Sequence, residues 1–97
     1  MKSLIEFWML ASDKQKKVVL LTLTDQQLKF LIEIIYNTVV DNIALSEEDK
    51  KKLTKHKLGI RKVLDKGISR RQRRQRLFSL QKVLPIFFMN YLKWQEN

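Results

Sequence analysis

The residues of this chain that could do chemistry are mostly cations, and they are crowded into its second half. Residues 1–49 hold five Lys against eight Asp or Glu, a net charge of −3. Residues 50–97 hold fifteen Lys or Arg against two acids, a net charge of +13, within a total of +10. The cations run through Lys50, Lys51, Lys52, Lys55, Lys57, Arg61, Lys62 and Lys66, then through Arg70, Arg71, Arg73, Arg74 and Arg76. Phosphate binding needs little more than many cations on one accessible surface, because affinity comes from the release of condensed counterions. A charge of +13 over half a chain exceeds the roughly 2–8 net charges that solubility needs. Five arginines within Arg70–Arg76 repel one another unless an anion neutralises them. In helical spacing Lys51, Lys55, Lys62 and Lys66 fall close to one face, and Arg73 with Arg76, or Arg70 with Arg74, share others. These positions together with Arg61 and Arg71 are the expected contacts to a polyanion, DNA ahead of RNA. The competing reading is a solvated face that only keeps the protein in solution.

Base-specific reading has less support. Gln72 and Gln75 lie in the arginine run, but glutamine is also ordinary helix filler. A helix–turn–helix pivoting on Leu58-Gly59 would leave too short a stretch before Gly67 for a recognition helix. The run from Arg70 to Arg76 is also of the kind that grips structured RNA or serves as a nuclear import signal, which leaves an RNA-binding alternative open. A second alternative is a protein-interaction or self-assembly module. Its docking residues would be Phe87, Phe88, Tyr91 and Trp94, in an apolar C-terminal segment that otherwise packs as core.

Catalysis finds no footing. His56 is the one histidine, so a nucleophile–base–acid triad would have to use it, and its neighbours Lys55 and Lys57 are cations rather than the acid such a triad needs. Glu47, Glu48 and Asp49 are adjacent on a helix and do not converge on one point, so no metal site is expected there. There is no cysteine, hence no thiolate nucleophile or Cys-based zinc site, and no glycine-rich phosphate loop. No cofactor and no small-molecule substrate are expected.

The elements that must carry these residues are helices. Two glycines and one proline in 97 residues are too few for the turns of an all-β fold. A hydroxyl residue followed three positions later by Gln or Asp opens four periodic segments: Ser12 with Gln15, Thr24 with Gln27, Ser46 with Asp49, Ser69 with Gln72. The pattern predicts helices over Ser3–Ala11, Asp13–Leu21 and Asp25–Ile43. A long basic helix follows from Ser46 toward Lys66, with Gly59 a possible kink and Gly67 a left-handed C-terminal cap. A further helix spans Arg70–Val83, ended or kinked by Pro85, and the apolar segment Ile86–Trp94 closes the chain. The third helix is the expected centrepiece. Leu28, Leu31, Ile32, Ile35, Val39 and Ile43 form its stripe, widened by Phe30, Ile34, Tyr36 and Val40. Leu23 and Leu28 stand at staple positions around Thr24. The expected architecture is all-α: one domain over residues 1–97, a bundle of five or six short helices. It has an acidic and apolar part (1–49), basic helices (50–83) and an apolar end (84–97). No run reaches the roughly 18 apolar residues a membrane span needs. Met1–Leu10 contains Glu6 and no small-residue cleavage site, so no secretory signal peptide is expected.

From Lys16 to Pro85 the order of features resembles a family of small basic proteins encoded by Maverick/Polinton elements and their virus-like relatives, the adintoviruses. The likeness is carried by the Leu-Thr-x-x-Gln-Leu helix start at Leu23–Leu28 and the Asn-Ile-x-Leu-Ser turn at Asn42–Ser46. The Lys-rich helix after that turn and the Ser69-led basic run before an apolar tail complete it. The resemblance implies a virion or genome-packaging role, in the host nucleus or in the particle, with nucleic acid, capsid protein or a second copy as partners. It carries over no defined activity. Family members often have a Gly-Gly pair before the apolar tail. Here the region reads Lys82-Val83-Leu84-Pro85, so no protease-maturation site is implied at this position.

Overall fold

Each hydroxyl-led segment does begin a helix. The computed structural model describes residues 1–40 and 45–95. Among them are seven helices and no strand: α1 Lys2–Leu10, α2 Asp13–Leu21, α3 Asp25–Val40, α4 Glu47–Lys55, α5 Lys57–Leu64, α6 Arg70–Ser79 and α7 Leu84–Gln95. Ser12 and Ser69 close full capping boxes with Gln15 and Gln72. At α3 the Gln27 backbone N–H donates to Thr24 Oγ1 (3.1 Å) and the Thr24 N–H to Gln27 Oε1 (2.9 Å). Leu23 and Leu28, on either side of that cap, are both buried, as a hydrophobic staple requires. Ser46 accepts from the Asp49 N–H, a one-sided cap, and the first-turn acids Glu47, Glu48 and Asp49 suit the positive end of the α4 dipole.

Three expectations about helix ends need correction. The basic helix after Ser46 breaks at His56, three residues before Gly59, which is why the helices number seven. The Thr54 hydroxyl donates back to the Lys50 carbonyl (2.8 Å), a contact that bends helices. The His56 N–H then takes the Leu53 carbonyl, one i−3 bond, and the His56 carbonyl accepts from Ile60 to begin α5. Gly67 does not take a left-handed φ. Instead α5 ends because Asp65 turns extended and its carboxylate accepts from the Gly67 N–H (2.8 Å). Finally, α6 stops at Ser79 and runs through i−3 bonds from Leu80 to Val83. Pro85 then lies in the first turn of α7, where its missing N–H costs nothing; it opens a helix rather than ending one. The end of the expected third helix, Ile43, lies outside the described residues, as do Asn42 and Ile43 of the Asn42–Ser46 turn.

The buried face of α3 follows Leu28, Leu31, Ile34, Ile35 and Thr38, with the Thr38 hydroxyl satisfied by the Ile34 carbonyl (2.8 Å). Ile32 is half-buried, and Tyr36, Val39 and Val40 are exposed, so the stripe is narrower than the apolar residues alone suggest. α3 packs on α5, α6 and α7; α1 packs on α2 and α7; α6 lies against α2, α3 and α5. Ile5 and Trp8 of α1, Leu20 of α2, Ile60 and Val63 of α5, Leu77 and Leu80, and Leu84, Phe87 and Phe88 of α7 complete one core. Trp8 meets Phe88 edge to face, with centroids 5.2 Å apart. The radius of gyration is 12.7 Å, close to the ~12.5 Å expected of a folded chain this long.

Gly59 is a packing glycine. A Cβ there would lie 3.0 Å from Leu80 Cδ2, and Leu80 is itself buried, so α5 and the end of α6 meet closely only because nothing stands at that position. Gly59→Leu is expected to cost about 1–3 kcal/mol in urea unfolding. Gly59→Ala should gain little, its helix propensity of about 1 kcal/mol being offset by the contact. If both substitutions stabilised the protein, the glycine would have no packing role.

Candidate nucleic-acid interface

Four of the five arginines in the Arg70–Arg76 run are engaged inside the protein. α6 presents two pairs of them in opposite directions. Toward α5, Arg76 donates Nη1 to the Lys62 carbonyl (2.9 Å). Arg73 donates Nε to the Val63 carbonyl (3.1 Å) and Nη2 to that of Asp65. These carbonyls lie at the α5 C-terminus, which carries the helix's partial negative charge, and that of Lys62 also accepts from the Asp65 N–H. Toward α3, Arg74 donates Nε to the Leu23 carbonyl (2.9 Å) and Nη2 to Asp25 Oδ1 (2.8 Å). Arg70 donates Nη1 to Asp25 Oδ2 (2.9 Å). The Arg74 side chain is only 21% exposed, that of Arg70 71%. The arginine run therefore does not need an external anion to relieve its repulsion, because Asp25 and the helix-end carbonyls already do so. Arg71, exposed, has no hydrogen bond or ion pair among the described residues.

The lysines behave differently. Lys50 and Lys52 pair with Glu47 and Glu48 on the α4 surface, at 3.4 and 3.5 Å; such exposed pairs contribute little. Lys51, Lys55, Arg61, Lys62 and Lys66 are exposed, and no side-chain bond holds them among the described residues. Lys57 joins them. α2 adds cations that the charge count of the halves hides. Because α2 lies against α6, Lys14, Lys16 and Lys17 share a depression with Phe78 and Gln81, with Asp13 at its edge. Lys16 Nζ stands 4.9 Å over the Trp8 ring and Lys17 Nζ 5.5 Å over Phe78, so these stems lie on aromatic faces. The halves divide by sequence, but the surface does not.

The apolar C-terminal residues separate as well. Phe87 and Phe88 are buried in the core, which removes them from any docking surface. Tyr91 and Trp94 face a groove of about 440 Å³ between α3 and α7, shared with Phe30, Glu33, Ile34, Asn37 and Thr38. Among the described residues no three of His, Asp or Glu gather to hold a metal ion, and no helix is long and apolar enough to cross a membrane. Comparison with protein-family models, with curated proteins and with solved structures finds no match to this chain.

The structural arginines make a sharp expectation about stability. Arg74→Gln strips the half-buried Leu23 carbonyl of its partner and should cost about 1–3 kcal/mol. Arg71→Gln, one helix step away from any partner, should change stability by less than about 0.5 kcal/mol. Thermal unfolding of the two variants side by side measures this, and equal melting temperatures would mean that the Arg74 contacts hold nothing in place.

Proposed function

We propose that the protein binds nucleic acid, DNA before RNA, through its phosphates and with little regard to sequence, as a condensing or packaging component. The observation that carries this reading is the set of exposed cations on α4, α5 and the link after α5, Lys51, Lys55, Arg61, Lys62 and Lys66, free of any intramolecular acid among the described residues. Arg71 extends the set onto α6, and Lys14 and Lys17 extend it onto α2. The exposed Arg70 guanidinium spends one of its nitrogens on Asp25, and the remaining donors face solvent in a fork suited to phosphate. Nothing on this surface resembles a preformed base-reading set, which fits binding governed by counterion release. The likeness to the Maverick/Polinton and adintovirus proteins supplies the setting we propose for it, a genome-packaging role in the nucleus or the virion.

The test is a salt titration of binding to a random duplex. Six to ten phosphate contacts predict a loss of roughly 10³–10⁵ in affinity between about 50 and 200 mM salt. Replacing Lys51, Lys55, Lys62 and Lys66 with Gln should flatten the slope by up to about 0.9 for each contact removed while leaving the fold intact. Arg70, Arg73, Arg74 and Arg76 are the wrong residues for this purpose, since changing them together would remove the contacts that seat α6 and the lost stability would mimic lost binding. Salt-insensitive binding, or a slope unmoved by the four lysines, would refute the reading. Competition by structured RNA at equal salt separates the RNA-binding alternative.

A further inference from the structure

The groove between α3 and α7 has a chemistry opposite to that of the cationic faces of α4 and α5. Its walls are aromatic: the Phe30 and Tyr91 rings stand at 86° to each other with centroids 5.4 Å apart. Trp94, one helical turn beyond Tyr91, is 67% exposed. Ile34 and Thr38 line it as well, both buried. Among the described residues no lysine or arginine lines it, and the charged residue that does is Glu33, on the turn of α3 after Phe30, with Asn37 one turn later. Glu33 makes no ion pair among the described residues. In a chain of net charge +10, a carboxylate left without a cation beside three aromatic rings is conspicuous.

Aromatic faces attract cations through the ring quadrupole, and a carboxylate at the same mouth adds the charge. A planar cation that stacks and donates several hydrogen bonds fits these groups better than a quaternary ammonium does. The Glu33 carboxylate, the Asn37 amide oxygen and the Tyr91 hydroxyl are all acceptors, which a quaternary ammonium would leave without donors. An arginine guanidinium has both the plane and the donors. A nucleic-acid strand, by contrast, would meet Glu33 with its own negative charge and find no cation in the groove. We infer that this groove is a binding site for an arginine side chain presented by a polypeptide partner. The inference stands apart from the nucleic-acid reading and uses none of its residues.

The experiment is a titration of the whole chain with N-acetyl-arginine amide, followed by tryptophan emission. Trp8 is buried at 2% exposure, so a change reports on Trp94. N-acetyl-lysine amide (the same charge without the plane), N-acetyl-citrulline amide (the same shape without the charge) and choline serve as the comparison probes. The expected result is a saturable change with the arginine probe. Citrulline should bind about tenfold more weakly, and Glu33→Gln should weaken the arginine probe by about the same factor, as for loss of a charge-assisted pair. Glu33 is exposed, so that variant keeps the fold, and the citrulline comparison tests the same point on the unaltered protein. No saturable change, an equal response to lysine or citrulline, or a stronger response to choline would each overturn the assignment. No nucleic acid is present, so the outcome is independent of whether the protein binds any.

Discussion

Carbonyl groups at a helix end and in a link between helices have few backbone N–H groups to accept from, and the guanidinium groups of α6 reach such carbonyls at two places at once. Arg73 and Arg76 take up the carbonyls at the close of α5, and Arg74 takes up the Leu23 carbonyl in the link between α2 and α3. Asp25 completes the arrangement. Standing in the first turn of α3, where the helix dipole already favours an anion, it accepts from both Arg70 and Arg74. One carboxylate thus serves a helix start and two cations. Lysine could not replace these arginines, because a point-like ammonium cannot reach a carbonyl with Nε and a carboxylate with Nη2 in one fixed plane, as Arg74 does.

This explains how the most polar helix of the bundle comes to lie against three others. α6 buries only one of its own residues, Leu77, with Leu80 following at its end. Two leucines are a small apolar anchor for a helix that packs on α2, α3 and α5. Phe78, half-buried, packs against the same core, and much of the remaining attachment is polar and runs around the flanks of α6, where arginine heads reach backbone carbonyls and Asp25. The close approach at Gly59 is the counterpart on the α5 side, since Leu80 can seat only where the facing residue lacks a side chain.

How much of this is legible in the residues depends on whether the determining contact is local. Helix starts are local: Ser12, Thr24, Ser46 and Ser69 each find partners within three residues, and all four stand as capped starts. The endings are less so. Gly67 has the composition of a left-handed cap, but Asp65 two residues earlier offers its carboxylate and ends the helix first. Pro85 reads as a stop or kink of the helix before it, but that helix has already given way to the i−3 run from Leu80 to Val83, and Pro85 stands in the first turn of α7. The arginine pairing was half visible, since Arg70 with Arg74 and Arg73 with Arg76 share helix faces at sequence level. Their partners sit as far as 51 residues away, and no periodicity carries that information. Phe87 and Phe88 were ambiguous for the same reason: core and docking surface look alike until the facing helix, here α1 with Trp8, is in place.

The two kinds of cation therefore do two kinds of work. Arg70, Arg73, Arg74 and Arg76 bond within the protein, while Lys51, Lys55, Lys57, Lys62 and Lys66 are exposed and keep their charges at the end of flexible stems. Such point charges follow a phosphate backbone without demanding a fixed geometry, which suits binding that ignores sequence. The same division bears on any interpretation of basic composition. A run of arginines invites the conclusion that it exists for an external polyanion, and here four of the five already bond within the protein, to Asp25 and to the Leu23, Lys62, Val63 and Asp65 carbonyls. The charge left for any external anion is the part with no carbonyl or carboxylate bonded to it, and by that measure the interface we propose lies on the lysines rather than on the arginine helix, which packs against α5 and α2.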